Sequence, residues 1–329
     1  MMQFKTPRLL FLTSIILVIG LVQQAQGQLL IDNFTPQAND RFTNDSSFIL
    51  NGSDVSGVGR VNSGLGRWAT AISRNVVVSA YHARPLDTAT IEFHTNNDPN
   101  GPTVTRGISS SFRVPQSSSL GNDSDLWVGV LDSNLPSSIA SYDLFSTSTP
   151  ISSTPPDPGS VFGTLNTNLP NEIDNELAFV FGQPENGNLF SGQAVGTNRI
   201  TGFFEDATVG AGTLVDLETT DFLFAIVDPD GTPNNLFNET AVQVGDSGAP
   251  VFLRDDATGG LTLLGVNGFA ANDDPDTAVV EISGIGIEYF GNEASFIDAF
   301  VVANAVPEPS SALALSAMMG MFLVRRRRS

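Results

Sequence analysis

The chain has 329 residues with 35 acidic and 15 basic side chains, which gives a formal net charge of −20 at pH 7. Lys5, Arg8 and the arginines at 325–328 lie at the two ends, so residues 28–324 carry all 35 acids against nine arginines and no lysine. A body this acidic repels nucleic acid and anionic membranes, because phosphate binding needs clustered basic side chains. The chain contains no cysteine, which excludes disulfides, thiolate metal sites and a cysteine nucleophile.

Residues 1–27 have the pattern of a secretory signal peptide. Lys5 and Arg8 give a positive start, the run 9–22 is apolar, and the tripeptide Ala-Gln-Gly at 25–27 is a small-x-small cleavage site. The alternative is an uncleaved membrane anchor, but the apolar run is short because a membrane span needs ~20 residues. We therefore expect the protein to be exported after signal peptidase removes this segment.

The following body, residues 28–304, is predicted to be all-β. Short apolar runs rich in β-branched and aromatic residues alternate with clusters of Gly, Asn, Asp, Ser and Pro, as in β-sandwiches and barrels. The predicted strands are 68–72, 76–80, 126–131, 177–181, 221–227, 249–253 and 261–266. Helical periodicity begins only at 294–304, where the apolar residues share one face of a short helix.

Candidate polar side chains stand beside two of these strands. The buried-strand pattern at 76–80 leads into His82, which the end of a strand would hold rigidly while one ring nitrogen faces a cleft. Asp125 comes directly before the strand at 126–131, and Asp123 lies two residues earlier on the same face of an extended segment. We favour Asp125 as the functional acid because the apolar strand starts immediately after it, and Asp123 stays open as the alternative.

A stretch rich in Ser, Thr and Pro divides the body at 146–160. Twelve of its fifteen residues are of these three types. Such a segment packs poorly, so it is predicted to be a linker or an exposed loop between the two halves of the body. The halves show no clear sequence repeat.

The second half carries the segment Gly-Asp-Ser-Gly-Ala-Pro at 245–250. Glycines on both sides of the Asp246–Ser247 pair let the backbone turn tightly and leave its amides directed at a substrate oxygen. Taken alone the segment is only moderately specific, because turns of this composition are common in a chain rich in Gly and Ser. Its meaning depends on the residues that the fold brings beside it.

The C-terminal segment 305–329 has three parts. Pro307, Glu308 and Pro309 precede a mostly apolar stretch, and four arginines follow that stretch. The prolines break the preceding helix, the apolar stretch enters the membrane and the arginines stay cytoplasmic. This order resembles the PEP-CTERM sorting signal of Gram-negative bacteria. The resemblance implies a short transmembrane helix, removal by a membrane exosortase and delivery to the cell surface or extracellular matrix; the alternative is a plain tail anchor.

The body itself resembles the trypsin-like (chymotrypsin-fold) serine proteases over roughly residues 55–304. The matching segments are 78–83, 125–128, 177–187, 245–250, 264–268 and the predicted terminal helix. The candidate residues follow in the order His, Asp, Ser, which is one of the known chain orders of the catalytic triad. The resemblance implies one domain of two antiparallel Greek-key β-barrels with a short C-terminal helix, followed here by the transmembrane sorting helix.

The same resemblance assigns catalytic roles. It makes Ser247 the nucleophile, His82 the general base and acid, and Asp125 the carboxylate that orients the imidazole. It also makes the backbone amides of Gly245 and Ser247 the oxyanion hole, where removing one donor typically costs about 10²–10³ in rate.

Other family positions concern the substrate pocket and the buried aspartate beside the nucleophile. Ala241, Gly268 and Ala270 match pocket positions, and these small uncharged residues favour apolar or small substrate side chains. Many relatives are activated when a new N-terminus pairs with the aspartate that matches Asp246. Since no matching activation sequence occurs near a plausible cleavage site, we expect an internal partner for Asp246, with Arg199 as the candidate.

The sequence predicts no cofactor and no metal site. Zinc is disfavoured because the chain has two histidines, no cysteine and no His-Glu-x-x-His motif. His94, the second histidine, is predicted to be an ordinary strand residue. The acidic segments 228–235 and 273–276 are either calcium-binding loops or, as we favour, solvated surface.

These observations predict a secreted, surface-sorted serine endopeptidase that hydrolyses polypeptide substrates through an acyl-enzyme. Its expected partners are the substrate, signal peptidase and exosortase, with transient membrane insertion of the C-terminal helix and no nucleic acid. One alternative is a catalytically inactive, protease-like binding protein of the surface or matrix. The other is an esterase that uses the same His82, Asp125 and Ser247.

Overall fold

The computed structural model describes nine segments of the chain, and it places fifteen strands and two α-helices within them. The described residues are 29–61, 67–115, 123–151, 166–184, 192–209, 218–226, 236–243, 245–271 and 284–304. The predicted signal peptide, the predicted sorting segment 305–329 and the acidic segments 228–235 and 273–276 lie outside these residues. In the part of the chain that is described, no helix is long and apolar enough to cross a membrane.

Strands far outnumber helices in the described segments, and all of the strand ladders there are antiparallel. The strands are β1 Leu30–Ile31, β2 Val58–Val61, β3 Trp68–Ala71, β4 Val76–Ala80, β5 Thr90–His94, β6 Thr103–Pro115, β7 Asp123–Leu131, β8 Leu177–Gly182, β9 Ala194–Arg199, β10 Gly202–Val209, β11 Glu218–Ile226, β12 Thr240–Ala241, β13 Pro250–Arg254, β14 Leu261–Ala271 and β15 Gly284–Tyr289. The helices are α1 Pro36–Asn39 and α2 Ala294–Asn304. The fold is therefore mostly β with a short helix near its C-terminal end.

The first half forms a closed six-stranded barrel. Its strands follow the order β2-β3-β4-β7-β6-β5, and the barrel closes where β5 pairs with β2. Strands β2, β3 and β4 are consecutive neighbours, while β5 returns beside β2, which is the Greek-key arrangement. The first predicted barrel is confirmed.

Strand β4 explains why its sequence is an unbroken apolar run. All five residues, Val76–Ala80, are buried. Val77 packs in a cluster with other barrel residues such as Trp127, whereas Val76 and Val78 join a cluster that also contains residues of β8 and β13. A strand covered on both faces needs apolar side chains at successive positions rather than at alternate ones.

The second half forms a seven-stranded sheet of order β10-β11-β15-β14-β13-β8-β9. Strands β1 and β12 form a second, two-stranded ladder, with Leu30 opposite Ala241 and Ile31 opposite Thr240. The pairings among the described strands leave β10 and β9 at the two ends of the order. The predicted second closed barrel is therefore not confirmed, and the antiparallel sheet is what the structure establishes for this half.

Helix α2 confirms the predicted terminal helix and packs back onto the first barrel. Ile297 is fully buried, and the ring of Phe300 lies 4.4 Å from that of Phe112 between centroids. The amide Nδ2 of Asn75 donates to the carbonyl of Asn304 over 2.7 Å, at the last turn of the helix. The helix that follows the second half in the chain thus packs against the first half.

Candidate active site

His82 and Asp125 form a hydrogen-bonded pair where β4 and β7 meet. The two strands pair up to Ala80 opposite Leu126, and the N–H of Tyr81 continues the ladder by donating to the carbonyl of Asp125. The backbone N–H of His82 then donates to Asp125 Oδ1 over 2.8 Å, and His82 Nδ1 is hydrogen-bonded to Asp125 Oδ2. The pairing of β4 with β7 therefore places the imidazole of His82 next to the carboxylate of Asp125.

The surroundings of this pair fix the tautomer of the neutral imidazole. The Asp125 side chain is fully buried, whereas 29% of the His82 side chain is exposed. Because a carboxylate can only accept, Nδ1 carries the hydrogen that is donated to Asp125, and Nε2 keeps the lone pair. Of the two acids left open by the sequence, Asp125 contacts His82, while the side chain of Asp123 lies outside the description.

The turn at 245–248 presents the predicted nucleophile. Gly245 and Gly248 have φ values of 105° and 80°, which favour glycine, and Ser247 lies between them with a half-buried side chain. The Gly248 N–H donates to the carbonyl of Asn267 over 2.8 Å, which ties the turn to β14. The N–H groups of Gly245 and Ser247 donate to no described residue.

This turn lies against the first barrel. A Cβ at Gly248 would collide with the Ser79 hydroxyl and would lie 3.4 Å from the backbone nitrogen of Ala80, so the turn contacts the end of β4. Trp68 Nε1 also donates to the carbonyl of Gly245 over 3.4 Å. Ser247 is thereby held beside β4, which ends two residues before His82, although its hydroxyl makes no hydrogen bond with the described residues.

The Gly248→Ala variant is expected to be much less stable than a Gly52→Ala control. Both glycines have a positive φ, but a Cβ at Gly52 meets nothing within 4 Å. The control therefore isolates backbone strain and should lower the free energy of unfolding by about 1 kcal/mol. Collision with Ser79 should bring the total loss for Gly248→Ala to about 3 kcal/mol. Urea unfolding measures both values, and equal losses would show that the close approach to β4 is absent.

Asp246 is buried beneath the turn and is held by backbone donors. Its Oδ1 accepts from the N–H of Gln183 over 2.8 Å and its Oδ2 from that of Gln243 over 2.9 Å. Burial raises the pKa of Asp246 to about 7, opposed by these two donors and by the charge of Arg60. The prediction that Arg199 is the partner of Asp246 is wrong. Arg199 is the last residue of β9, and its guanidinium donates to the carbonyl of Asn175.

The charge that acts on Asp246 is that of Arg60 rather than that of Arg199. Arg60 is almost fully buried, its Cζ lies 4.2 Å from the centroid of the Trp68 ring, and its Nη1 donates to the carbonyl of Gly192. Burial lowers the pKa of Arg60 to about 10, and the charge of Asp246 opposes this fall. The charge of an arginine in the first barrel thus lowers the pKa of a carboxyl group in the second half, and no spacing in the sequence indicates this.

The contribution of Asp246 to stability is expected to decrease as the pH rises from about 4 to about 7. The folded protein keeps the Asp246 proton up to about pH 7, because its pKa is raised, whereas the unfolded chain loses it near its ordinary pKa of about 3.9. In this window the folded state binds more protons, so raising the pH favours unfolding.

Replacing Asp246 with asparagine should remove this slope. Asp246 makes the free energy of unfolding of the wild type fall as the pH rises, by up to about 1.4 kcal/mol per pH unit. The variant should lack this fall. Urea titrations between about pH 4 and 7 measure both curves. Parallel curves would mean that Asp246 is ionised in the folded protein throughout this range.

Glu288 is a site residue that sequence reasoning missed. It lies on β15 and is fully buried, and its Oε1 is 3.8 Å from His82 Nδ1. Ligand atoms of His82, Asp125 and Glu288 lie within 4.8 Å of one another, the spacing of a three-ligand metal site. We assign no metal to them, because Nδ1 of His82 already carries the hydrogen donated to Asp125. The available signal was a single acid within the apolar segment 284–290.

The predicted pocket residues lie on two different strands. Ala241 is half-buried in β12, opposite Leu30 of β1. Gly268 is buried at the irregularity of β14 beside Asn267, and Ala270 lies further along that strand with its side chain outside the description. Their role in substrate binding stays a prediction. His94, by contrast, ends β5 as an ordinary strand residue, largely buried against the Phe42 ring.

Comparison with known proteins gives weak likenesses. No family model and no curated protein matches the chain. Among solved structures, human heparin binding protein has a TM-score of 0.43 and 15% identity, covering 77% of this chain and 94% of its own. A mutant of human heparin binding protein has a TM-score of 0.45 and 14% identity, covering 78% and 95%. Since both TM-scores are below 0.5, these likenesses support none of the proposals that follow.

Proposed function

We propose that the protein is an exported serine endopeptidase with Ser247 as nucleophile, His82 as general base and Asp125 as the orienting carboxylate. The observation that carries this proposal is the hydrogen bond from His82 Nδ1 to the buried Asp125, beside a Gly-Asp-Ser-Gly turn that contacts the same strand, β4. A serine, a histidine and an aspartate in these roles are recognised by their geometry rather than by their positions in the sequence.

The first half of the reaction forms an acyl-enzyme. Ser247 Oγ attacks the carbonyl carbon of the scissile peptide bond while Nε2 of His82 takes the hydroxyl proton. Asp125 stabilises the imidazolium that results. His82 then gives this proton to the leaving amine as the C–N bond breaks, which leaves the substrate acyl group esterified to Ser247. The hydroxyl–imidazole hydrogen bond that this step needs commonly tightens only when substrate binds.

The second half hydrolyses that ester. A water molecule attacks the acyl carbon and gives a proton to His82, and the proton passes to Ser247 Oγ as the ester bond breaks. In both halves the carbonyl oxygen becomes an oxyanion. The N–H groups of Gly245 and Ser247, which donate to no described residue, supply the hydrogen bonds that stabilise it.

The substrate preference that we propose is for apolar or small side chains. It depends on the uncharged residues Ala241, Gly268 and Ala270, which match pocket positions in the trypsin-like proteases. Digestion of a peptide library tests this preference directly. Cleavage confined to bonds after Arg or Lys would contradict it, because those side chains need an acid in the pocket.

The location that we propose is the cell surface or extracellular matrix of a Gram-negative bacterium. Signal peptidase would remove residues 1–27 and an exosortase would cleave at the segment 305–329, leaving a body without lysine or cysteine. The strong negative charge of this body favours solubility outside the cell. A second closed barrel, as the resemblance implies, is part of this proposal for the body 28–304.

A fluorophosphonate probe tests the proposed function. The purified body, residues 28–304, is labelled beside its Ser247→Ala variant, and both are assayed with casein and with a nitrophenyl ester. We expect labelling that depends on Ser247, together with casein cleavage. Labelling with ester turnover but no peptide cleavage would favour the esterase, and no labelling would favour the inactive binding protein.

A further inference from the structure

Glu288 places a second buried carboxylate beside the His82–Asp125 pair. It comes from the opposite half of the molecule, on β15, where it lies opposite Val266 of β14 and Phe222 of β11. Its Oε1 approaches the same ring nitrogen, Nδ1 of His82, that is bonded to Asp125. Both acids are fully buried, so neither is screened by water.

Three ionisable groups at these distances cannot titrate independently. Two ionised carboxylates within 4.8 Å in a buried site repel each other strongly, and a proton on any member of the group relieves that repulsion. The proton can be held by Glu288 as a carboxylic acid or by His82 as an imidazolium. Groups coupled in this way release their protons in steps that belong to the set.

We propose that Glu288 is a positioning residue that shares one proton with His82 and so sets the pH at which His82 becomes a free base. While the shared proton is bound, an ionised Glu288 favours the imidazolium, which cannot accept the proton of Ser247; above the pH at which this proton leaves, His82 is a free base. When Glu288 is protonated, His82 is neutral and Nε2 can act as the base. This inference depends on the proposed function for its effect on activity, but the shared proton can be observed without any reaction.

The charged groups around His82, Asp125 and Glu288 have opposite effects on where the shared proton is held. Asp125 and Glu288 face the imidazole and favour its protonated form. Arg84 and Arg113 stack on the ring of Tyr81, the residue before His82, with their Cζ atoms 3.7 and 4.4 Å from its centroid. These guanidinium groups favour ionised carboxylates. On the described residues of β14, next to Glu288, the side chains of Gly265, Val266 and Asn267 carry no charge.

The test is the Glu288→Gln variant, which keeps the shape of the side chain and removes its charge. We expect the acid limb of the pH profile of kcat/KM to move to lower pH by about one unit or more. A loss of packing alone would lower the rate at every pH and leave the midpoint in place. The Glu288→Asp variant, which retains a carboxylate, should keep its midpoint nearer that of the wild type.

Imidazole NMR signals provide a readout that needs no activity. The chain has two histidines, and the second, His94, has its own acid, Glu92, at 3.5 Å from Nε2. The Glu288→Gln change should move the titration midpoint of His82 to lower pH and leave that of His94 in place. The Glu92→Gln change should do the reverse, and so serves as the matched control.

The outcomes separate this inference from the proposed function. An inactive protein whose His82 midpoint still moves in Glu288→Gln would contradict the endopeptidase and support the shared proton. An active enzyme whose His82 midpoint and acid limb both stay in place would overturn the inference. If the variant does not fold, the same question can be tested on the wild-type protein. The ¹³C signal of the Glu288 carboxyl and the imidazole signals of His82 should then show common titration steps. Independent single steps would refute the shared proton.

Discussion

Replacing Ser247 with alanine is expected to lower kcat for peptide hydrolysis by a factor on the order of 10⁶. The variant keeps the turn, because the N–H groups and the glycines at 245 and 248 remain, but it has no oxygen to form the acyl-enzyme. The residual rate then comes from substrate binding and the oxyanion hole alone. Initial rates with casein and with a chromogenic peptide measure this effect, and the fluorophosphonate labelling should disappear with it.

The control for this result is an exposed serine on the first half. Ser133→Ala removes a hydroxyl that donates to Asp132 at the surface, and it should leave kcat unchanged. Both variants should unfold within about 0.5 kcal/mol of the wild type, as is usual away from buried features. If Ser247→Ala retained a tenth or more of the activity, another group would be the nucleophile and the endopeptidase mechanism given above would be wrong.

The second large effect is expected for Asp125→Asn, with a loss in kcat on the order of 10⁴. The asparagine amide can donate to Nδ1 of His82, so it favours the tautomer whose hydrogen lies on Nε2. That tautomer cannot accept the proton of Ser247. The loss should fall on kcat rather than on KM, because substrate contacts are unchanged, and steady-state kinetics separate the two parameters.

Asp123→Asn is the matched control for Asp125→Asn. The two acids are two residues apart at the start of β7, and the sequence leaves both open as the partner of His82. The hydrogen bonds from His82 to Asp125 predict that the Asp123 variant keeps nearly full activity. A larger loss for Asp123→Asn than for Asp125→Asn would reverse the assignment.

The local sequence is sufficient to predict a strand where burial on both faces determines its residues. Strand β4 was predicted with the bounds that it has, because both of its faces are covered and every residue must be buried. Strand β6, Thr103–Pro115, was not predicted, since most of it is partly exposed and its Ser-rich centre shows no apolar run. Its conformation comes from pairing with β5 and β7 instead.

The site shows the same division between local and long-range information. The strand or turn that presents each of them is enough to make His82, Asp125 and Ser247 candidates. Glu288 and Arg60 were missed, and Arg199 was chosen wrongly as the partner of Asp246. These assignments depend on which strands of opposite halves meet, and one sequence carries no signal for contacts of that kind.

The pairing of β1 with β12 has a consequence for how the chain reaches its native state during synthesis. Leu30 and Ile31, near the start of the chain, find their partners only at Ala241 and Thr240, so this ladder closes a loop of most of the protein. A chain that emerges N-terminus first can complete the first barrel early. Strand β1 can pair only after β12 has been made, and Glu288 can contact His82 only after β15 has been made. Ser247, which we propose as the nucleophile, follows β12 in the chain, so we expect a nascent chain to stay inactive until most of its second half has been made.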